Sequence, residues 1–111
     1  MFIVEVDFPF LEKIKSKKRP ALALTNPVGK YKIVICAFIS SKIPKELLAT
    51  DILIDSQSFD FEKTGLLNTS VIRLHKLASL QVNNYIFGKI GEIGLKQEKE
   101  VKQKLKILFN L

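Results

Sequence analysis

The sequence predicts a mainly β, α+β fold: a small, strongly bent antiparallel sheet or barrel with one helix packed on it. Two observations predict it. Short apolar or alternating runs are separated by turn residues, which is typical of short antiparallel strands. From about Leu95 the apolar period changes to that of a helix. We expect residues 1–111 to form a single domain with a modest core.

The alternating and apolar runs place the strands. Predicted strands cover about residues 2–8, 20–25, 31–39, 50–54, 69–75 and 88–93. The third is the longest apolar run, and its β-branched residues favour a central, buried position. The first strand alternates, so we expect it to be half-buried, with Ile3 on the polar face beside Glu5. Residues 78–80 either continue or end the fifth strand, and residues 82–87 form a single helical turn.

The C-terminal helix is predicted by its pattern of apolar and charged residues. Val101, Leu105 and Leu108 lie on one helical face. Two glutamates each precede a lysine by four residues, which is the favourable order for helical ion pairs. This pattern indicates an amphipathic helix that packs on the sheet.

Composition restricts the partners and the compartment. The net charge of +7 favours a polyanionic partner such as a nucleic acid, an acidic protein segment or a membrane surface. The single cysteine, Cys36, lies in an apolar run and is expected to be buried in a reducing compartment. Glu5 and Asp7 interrupt the N-terminal apolar run, and no apolar run is long enough to span a bilayer. We therefore expect a cytoplasmic protein with no membrane association.

A basic cluster runs directly into a predicted strand in the stretch KKRPALAL, residues 17–24. Pro20 fixes its own φ and favours an extended Arg19, which places a guanidinium at the mouth of the strand. The planar fork of arginine suits phosphate recognition. The alternative interpretation is a solvated loop cluster that precedes a strand.

Several kinds of catalytic machinery are absent from the sequence. There is no glycine-rich phosphate loop, His75 is the only histidine, and no cluster has the spacing of zinc ligands. The few carboxylates are scattered, which gives no support to paired-acid glycosidase chemistry. We therefore expect neither a metal nor a cofactor.

Three blocks of sequence resemble the PemK/MazF family of toxin endoribonucleases. They are RPALAL, the ISS that ends the next strand, and SVIRLHKLASL, and their order and spacing extend the resemblance over nearly the whole chain. The resemblance implies an SH3-like barrel with an appended helix. It also implies the toxin of a type II toxin–antitoxin pair, which cleaves single-stranded mRNA at short sequences and inhibits growth. Its partner would be a small acidic antitoxin.

Internal transesterification of RNA suits this limited set of residues. The 2′-hydroxyl is the nucleophile, so the enzyme supplies a base, an acid and donors to the phosphate oxygens. By resemblance, Arg19 matches the family's catalytic arginine, and Ser40 matches the Thr or Ser that ends the third strand. For Ser40 and its neighbour Ser41, the alternative is a strand-ending turn in which the serine caps its own backbone.

The third block departs from the better-known family members. Some of them carry an acid where this chain has His75, and several have an R-T-I-D run where this chain has residues 78–81. Arg73 matches a basic position in some members, and it should share a strand face with His75. His75 is the third catalytic candidate, as a proton shuttle. The alternative is a surface histidine next to Lys76.

The remaining site candidates are expected to bind the substrate. They are Lys17, Lys18, Ser41, Lys42, Arg73 and Phe10. The cations would contact phosphates, and Phe10 would stack on an unpaired base. Phe8, in contrast, is expected in the core.

Two other functions remain open at this point. One is a non-catalytic, protein-binding toxin like the gyrase-poison relatives of this fold, and the other is an SH3-like nucleic-acid-binding module. Arg19 and Ser40 favour the nuclease. Small size and long apolar strands predict a homodimer, in which the resemblance places the RNA groove across the interface. Contact with DNA is expected only through the antitoxin complex.

RNA binding should weaken steeply as the salt concentration rises. The lysine-rich connection contributes Lys13, Lys15, Lys17 and Lys18. Each phosphate that they neutralise on a single strand should add about −0.7 to the slope of log K against log salt. Titration of a labelled RNA at several salt concentrations measures this slope. An affinity that does not change with salt would exclude this connection from the RNA-binding surface.

Overall fold

A computed structural model of the chain describes residues 1–7 and 18–111. The strands are β1 (Phe2–Val6), β2 (Arg19–Ala23), β3 (Ile33–Ser40), β4 (Asp51–Ile54), β5 (Ser70–Gln81) and β6 (Ile86–Glu92). The helices are α1 (Val82–Tyr85) and α2 (Leu95–Phe109), and a 3-10 turn spans Phe61–Thr64. Most of the predicted lysine-rich connection lies outside the described residues, including Phe8, Phe10, Lys13, Lys15 and Lys17.

Within the described residues, all six strands form one antiparallel sheet. Their order is β4-β5-β3-β2-β1-β6, so β3 is central as predicted. The edge strands β4 and β6 are not paired with each other in this order, so the sheet is not closed into a barrel. The predicted class, a mainly β fold with a C-terminal helix, is confirmed. No helix in the described part of the chain is long and apolar enough to cross a membrane.

The fifth strand is longer than the predicted residues 69–75, and it contains a bulge. Residues 70–75 and 78–80 belong to a single strand of 12 residues, Ser70–Gln81. Ala37 pairs with Leu77, but the next residue of β3, Phe38, pairs with Arg73, so residues 74–76 are extra on β5. Extra residues on one strand bend it and increase its twist. Leu74, inside the bulge, is fully buried.

Apolar residues pack on both faces of the sheet. One cluster contains Ile3, Leu22, Ile39, Ile72 and Val101 among others. The other contains Val4, Val6, Ala21, Cys36 and Leu80 among others. The prediction of a half-buried first strand is therefore wrong, because the cluster that α2 completes also buries Ile3. Burial on both faces accounts for the apolar residue at position 3, which lies on the face that also carries Glu5.

Helix α2 packs as its sequence pattern predicts. Val101 is fully buried, and Leu105 and Leu108 are partly buried against the first cluster. The two predicted ion pairs form, Glu98 with Lys102 at 3.6 Å and Glu100 with Lys104 at 3.1 Å. The Nζ of Lys104 also donates to the backbone carbonyl of Asp51 at 2.8 Å, which links the helix to β4.

The segment after the 3-10 turn lies against β6 at two glycines. A Cβ on Gly65 would lie 2.1 Å from the carbonyl oxygen of Ile90, and one on Gly91 would lie 2.2 Å from that of Thr64. Rotating a side chain cannot relieve a clash with a backbone atom. Gly65 also adopts a φ of 72°, which favours glycine. These two glycines therefore allow residues 65–68 to lie close to the sheet.

Gly91→Ala should destabilise the fold. Its Cβ would overlap backbone atoms of residues 63 and 64, and overpacking of this kind typically costs about 1–3 kcal/mol. Denaturant unfolding followed by circular dichroism measures the change. Ser79→Ala, at an exposed position of β5, is the control and should stay within about 0.5 kcal/mol of the parent. Unchanged stability of Gly91→Ala would contradict the close approach.

The Cys36 thiol should react slowly in the native protein. Its side chain is fully buried, and burial raises the pKa of the thiol to about 11. Since the thiolate is the reactive form, little of it is present at neutral pH. A chromogenic thiol reagent should modify Cys36 rapidly in denaturant and slowly in native buffer. Rapid modification of the native protein would contradict this burial.

Candidate functional site

Strand pairing brings the predicted arginine and serine to the same end of the sheet. Val6 of β1 pairs with Arg19 of β2, and Ala21 of β2 pairs with Phe38 of β3. The β2–β3 pairing ends at this pair, and Arg19 and Ser40 each lie two residues beyond it on their strands. The two candidates therefore lie at the same end of β2 and β3.

A cleft of about 680 Å³ opens beside these strand ends. Its lining comes from the ends of β1, β2 and β3, from residues 65–68, and from Ser70 of β5 and Ile90 of β6. The charged residues that line it in the described part of the chain are Lys18, Arg19, Lys42 and Glu5. Cations therefore outnumber carboxylates by three to one. Such a cleft is suited to a phosphodiester.

Five of the predicted site residues line this cleft. They are Lys18, Arg19, Ser40, Ser41 and Lys42. Two further candidates, Lys17 and Phe10, lie outside the described residues. The last two, Arg73 and His75, are not among the residues that line the cleft.

The Ser40 hydroxyl lines the cleft and also forms hydrogen bonds within the turn that ends β3. Its Oγ accepts a hydrogen bond from the backbone N–H of Lys42 at 3.0 Å. It also lies 3.4 Å from the Lys42 carbonyl oxygen, a long distance for donation by a hydroxyl. The strand-ending turn is therefore present in the structure. A phosphate oxygen would compete only with this long contact for the hydroxyl proton.

Arg73 forms an ion pair with Asp51, the first residue of β4. Its Nε donates to Oδ1 of Asp51 at 2.8 Å, and the Asp51 side chain is completely buried. The other carboxylate oxygen of Asp51 accepts the backbone N–H of Leu48 at 2.8 Å. A buried carboxylate needs such partners, since leaving it unpaired would cost several kcal/mol. This geometry gives Arg73 a role in the structure of the segment that precedes β4.

His75 also contacts the entrance to β4. Its Nδ1 lies 2.6 Å from Oγ1 of the buried Thr50. Thr50 is next in sequence to the aspartate that holds Arg73, so the two candidates of the third block contact adjacent residues. The structure thus brings Arg73 and His75 to one region, and Arg19 and Ser40 to another.

Glu5 is the cleft residue that sequence analysis missed. It pairs with Pro20, next to Arg19, and it is the carboxylate among the described residues that line the cleft. The sequence signal was its position in a strand that forms a hairpin with the RPALAL strand. The register of that hairpin could not be read from the sequence, because the twelve-residue connection between Val6 and Arg19 does not fix it. Among the described residues, no three His, Cys, Asp or Glu side chains could hold a metal ion together.

Comparisons with known proteins agree with this fold. A family model described as a PemK-like, MazF-like toxin of type II toxin–antitoxin systems matches residues 2–109. The Mycobacterium tuberculosis toxin MazF-mt6 superposes with a TM-score of 0.75 at 23% identity, over 100% of this chain and 98% of that one. A second structure, described as an Mtb toxin, superposes with a TM-score of 0.68 at 20% identity, over 95% and 97% of the two chains. No curated protein matches this chain in sequence.

The two kinds of comparison carry different weight. At these identities the structural likeness shows a shared fold alone. The family match is independent of it and spans nearly the whole chain, including the stretches that form the cleft. The chain therefore belongs to the PemK-like, MazF-like toxins of type II toxin–antitoxin systems.

Proposed function

We propose that this toxin is a metal-independent endoribonuclease that cleaves single-stranded mRNA at short sequences and thereby inhibits growth. One observation carries the proposal: Arg19, Ser40 and Glu5 meet in a single cleft with a cationic majority. Transesterification of RNA needs phosphate donors and a base, and it takes its nucleophile from the substrate. This cleft offers both kinds of group.

The cationic residues bind and stabilise the phosphate in this proposal. Arg19 donates two hydrogen bonds from its planar fork to the phosphate oxygens, which gain charge in the transition state. Ser40 donates to a non-bridging oxygen of the same phosphate. Lys18 and Lys42 contact the neighbouring phosphates and hold the strand in place.

Glu5 is the proposed base. It lines the same cleft as Arg19, whereas the Nδ1 of His75 is hydrogen-bonded to Thr50 at another place. The Glu5 carboxylate takes the proton from the 2′-hydroxyl, and the 2′-oxygen attacks phosphorus. The bond between phosphorus and the 5′-oxygen breaks, the 5′-oxygen takes a proton from water, and Glu5 returns its proton to the solvent. One product therefore ends in a 2′,3′-cyclic phosphate and the other in a 5′-hydroxyl.

Type II systems pair a toxin with an antitoxin, and we propose an acidic antitoxin segment for this one. The cleft that is cationic enough to bind RNA also attracts such a segment, so the antitoxin and RNA should exclude each other. We further propose that the toxin is a homodimer.

Incubation with an unstructured RNA in EDTA tests the proposed function. Cleavage supports it, and cleavage that requires an added divalent metal would contradict the metal-independent mechanism. A gel shift without cleavage would instead indicate a nucleic-acid-binding module. If the protein neither binds nor cleaves RNA, a protein-binding toxin becomes the better account.

Arg19→Lys should remove most of the cleavage activity without unfolding the protein. Lysine keeps the charge but loses the fork, and losing a donor of this kind costs about 2.7–4 kcal/mol, or about a hundred- to a thousandfold in rate. Ser40→Ala should cost less, because a neutral donor is weaker than a charged one. Single-turnover cleavage of a fluorescent RNA measures the rates, and circular dichroism checks folding.

The other arginine of the chain provides a matched control. Arg73→Lys makes the same chemical change at an ion pair outside the cleft. It should lower the melting temperature and leave the single-turnover rate close to that of the parent. A folded Arg19→Lys variant that cleaves at the parental rate would contradict the catalytic role of Arg19. The basic cluster would then be interpreted as a solvated loop.

Glu5→Gln and His75→Gln should separate the two candidate bases. Glutamine has the shape of glutamate but cannot accept the proton, and loss of a general base costs about a hundred- to ten-thousandfold. Glu5→Gln should therefore lose rate and the acidic limb of its pH–rate profile. His75→Gln should keep both. The reverse result would restore His75 as the proton shuttle and exclude Glu5.

A further inference from the structure

An exposed phenylalanine stands where the pairing of β6 with β1 becomes irregular. Val6 pairs with Ile86 and Glu5 pairs with Gly88, so the register passes over Phe87. Such an extra residue forms a β-bulge, and bulges redirect side chains. The Phe87 side chain is 51% exposed. The exposed Phe87 ring is thus next in sequence to Gly88, the residue that pairs with Glu5.

One lysine connects this ring to the cleft. The Nζ of Lys18 lies 5.0 Å from the centroid of the Phe87 ring, and Lys18 also lines the cleft. A Cβ added at Gly88, the next residue in the chain, would have no atom within 4 Å. Phe87 is not itself one of the residues that line the cleft, but its ring contacts Lys18, which is, and position 88 beside it has no side chain.

We propose that Phe87 is a stacking platform for an unpaired base of the RNA whose scissile phosphate lies in the cleft. This inference rests on the proposed function. Proteins that bind single strands combine a cationic groove with aromatic rings on which bases stack. Lys18 occupies a face of the ring in the free protein. When RNA binds, the base takes this face and the ammonium group moves to the adjoining phosphate.

The same two strands contain a matched pair that does not adjoin the cleft. The Nζ of Lys89 lies 4.0 Å from the centroid of the Phe2 ring, and Phe2 is 48% exposed. Neither phenylalanine lines the cleft, but Lys18 does and Lys89 does not. Phe2 and Phe87 therefore have similar exposure and the same kind of cation contact. They differ in whether the lysine that they contact lines the cleft, which makes Phe2 the control.

The test measures the affinity of variants for a short fluorescent oligonucleotide of 2′-O-methyl RNA, which lacks the nucleophile and cannot be cleaved. Phe87→Leu should weaken binding about 5- to 150-fold, the range for loss of one stacked base. Phe87→Trp should bind at least as tightly as the parent, because tryptophan offers a larger ring. Phe2→Leu should bind as the parent does. Melting curves confirm that each variant is folded.

Several results would overturn the stacking site. They are a Phe87→Leu variant that binds like the parent, a Phe2→Leu variant that loses as much, a Phe87→Trp variant as weak as the leucine variant, and a parent that does not bind the oligonucleotide. Cleavage of ordinary RNA by the parent is measured separately. If the parent cleaves and Phe87→Leu binds normally, the proposed nuclease activity stands and the stacking role of Phe87 is excluded. If the parent does not cleave but Phe87→Leu binds more weakly, the stacking role of Phe87 stands and the proposed nuclease activity is excluded.

Discussion

The antiparallel register of β1, β2 and β3 is the constraint on which the candidate site depends. It pairs Glu5 with Pro20 and Val6 with Arg19, and it leads the end of β3 to the same place. Moving one strand by a single residue would turn each of its side chains to the opposite face. Because both faces of β1 carry buried residues, Ile3 on one and Val4 on the other, such a shift would expose apolar side chains and bury Glu5. The packing of the core thus fixes the composition of the cleft.

The two arginines of the chain have different roles because one of them pairs with a buried carboxylate. Asp51 is buried and holds Arg73 through a hydrogen bond of 2.8 Å. Since a buried carboxylate must be paired, this arginine is committed to the structure around β4. Arg19 instead stands at the entry of a strand and lines a cleft with two lysines. The same side chain therefore has a structural role at one position and a proposed catalytic role at the other.

The fold was largely predictable because its signals are local. Alternation and apolar runs placed the six strands, and the change of period placed α2 with its buried Val101. The site was less predictable because it depends on contacts between distant residues. The bond of His75 to Thr50, which is 25 positions away, and the bulge that presents Phe87 have no local sequence signal. Arg19 and Ser40 could be identified from their sequence blocks, whereas Glu5 became visible only once the hairpin register was known.

The chemistry of the product ends tests the proposed reaction most directly. A defined RNA is incubated with the toxin in EDTA, and the fragments are analysed by mass spectrometry. Attack by the 2′-hydroxyl predicts a 2′,3′-cyclic phosphate on one fragment and a 5′-hydroxyl on the other, with no cleavage where the 2′-hydroxyl has been removed. Fragments ending in a 3′-hydroxyl and a 5′-phosphate would contradict the mechanism, because those ends require attack by water rather than by the RNA itself.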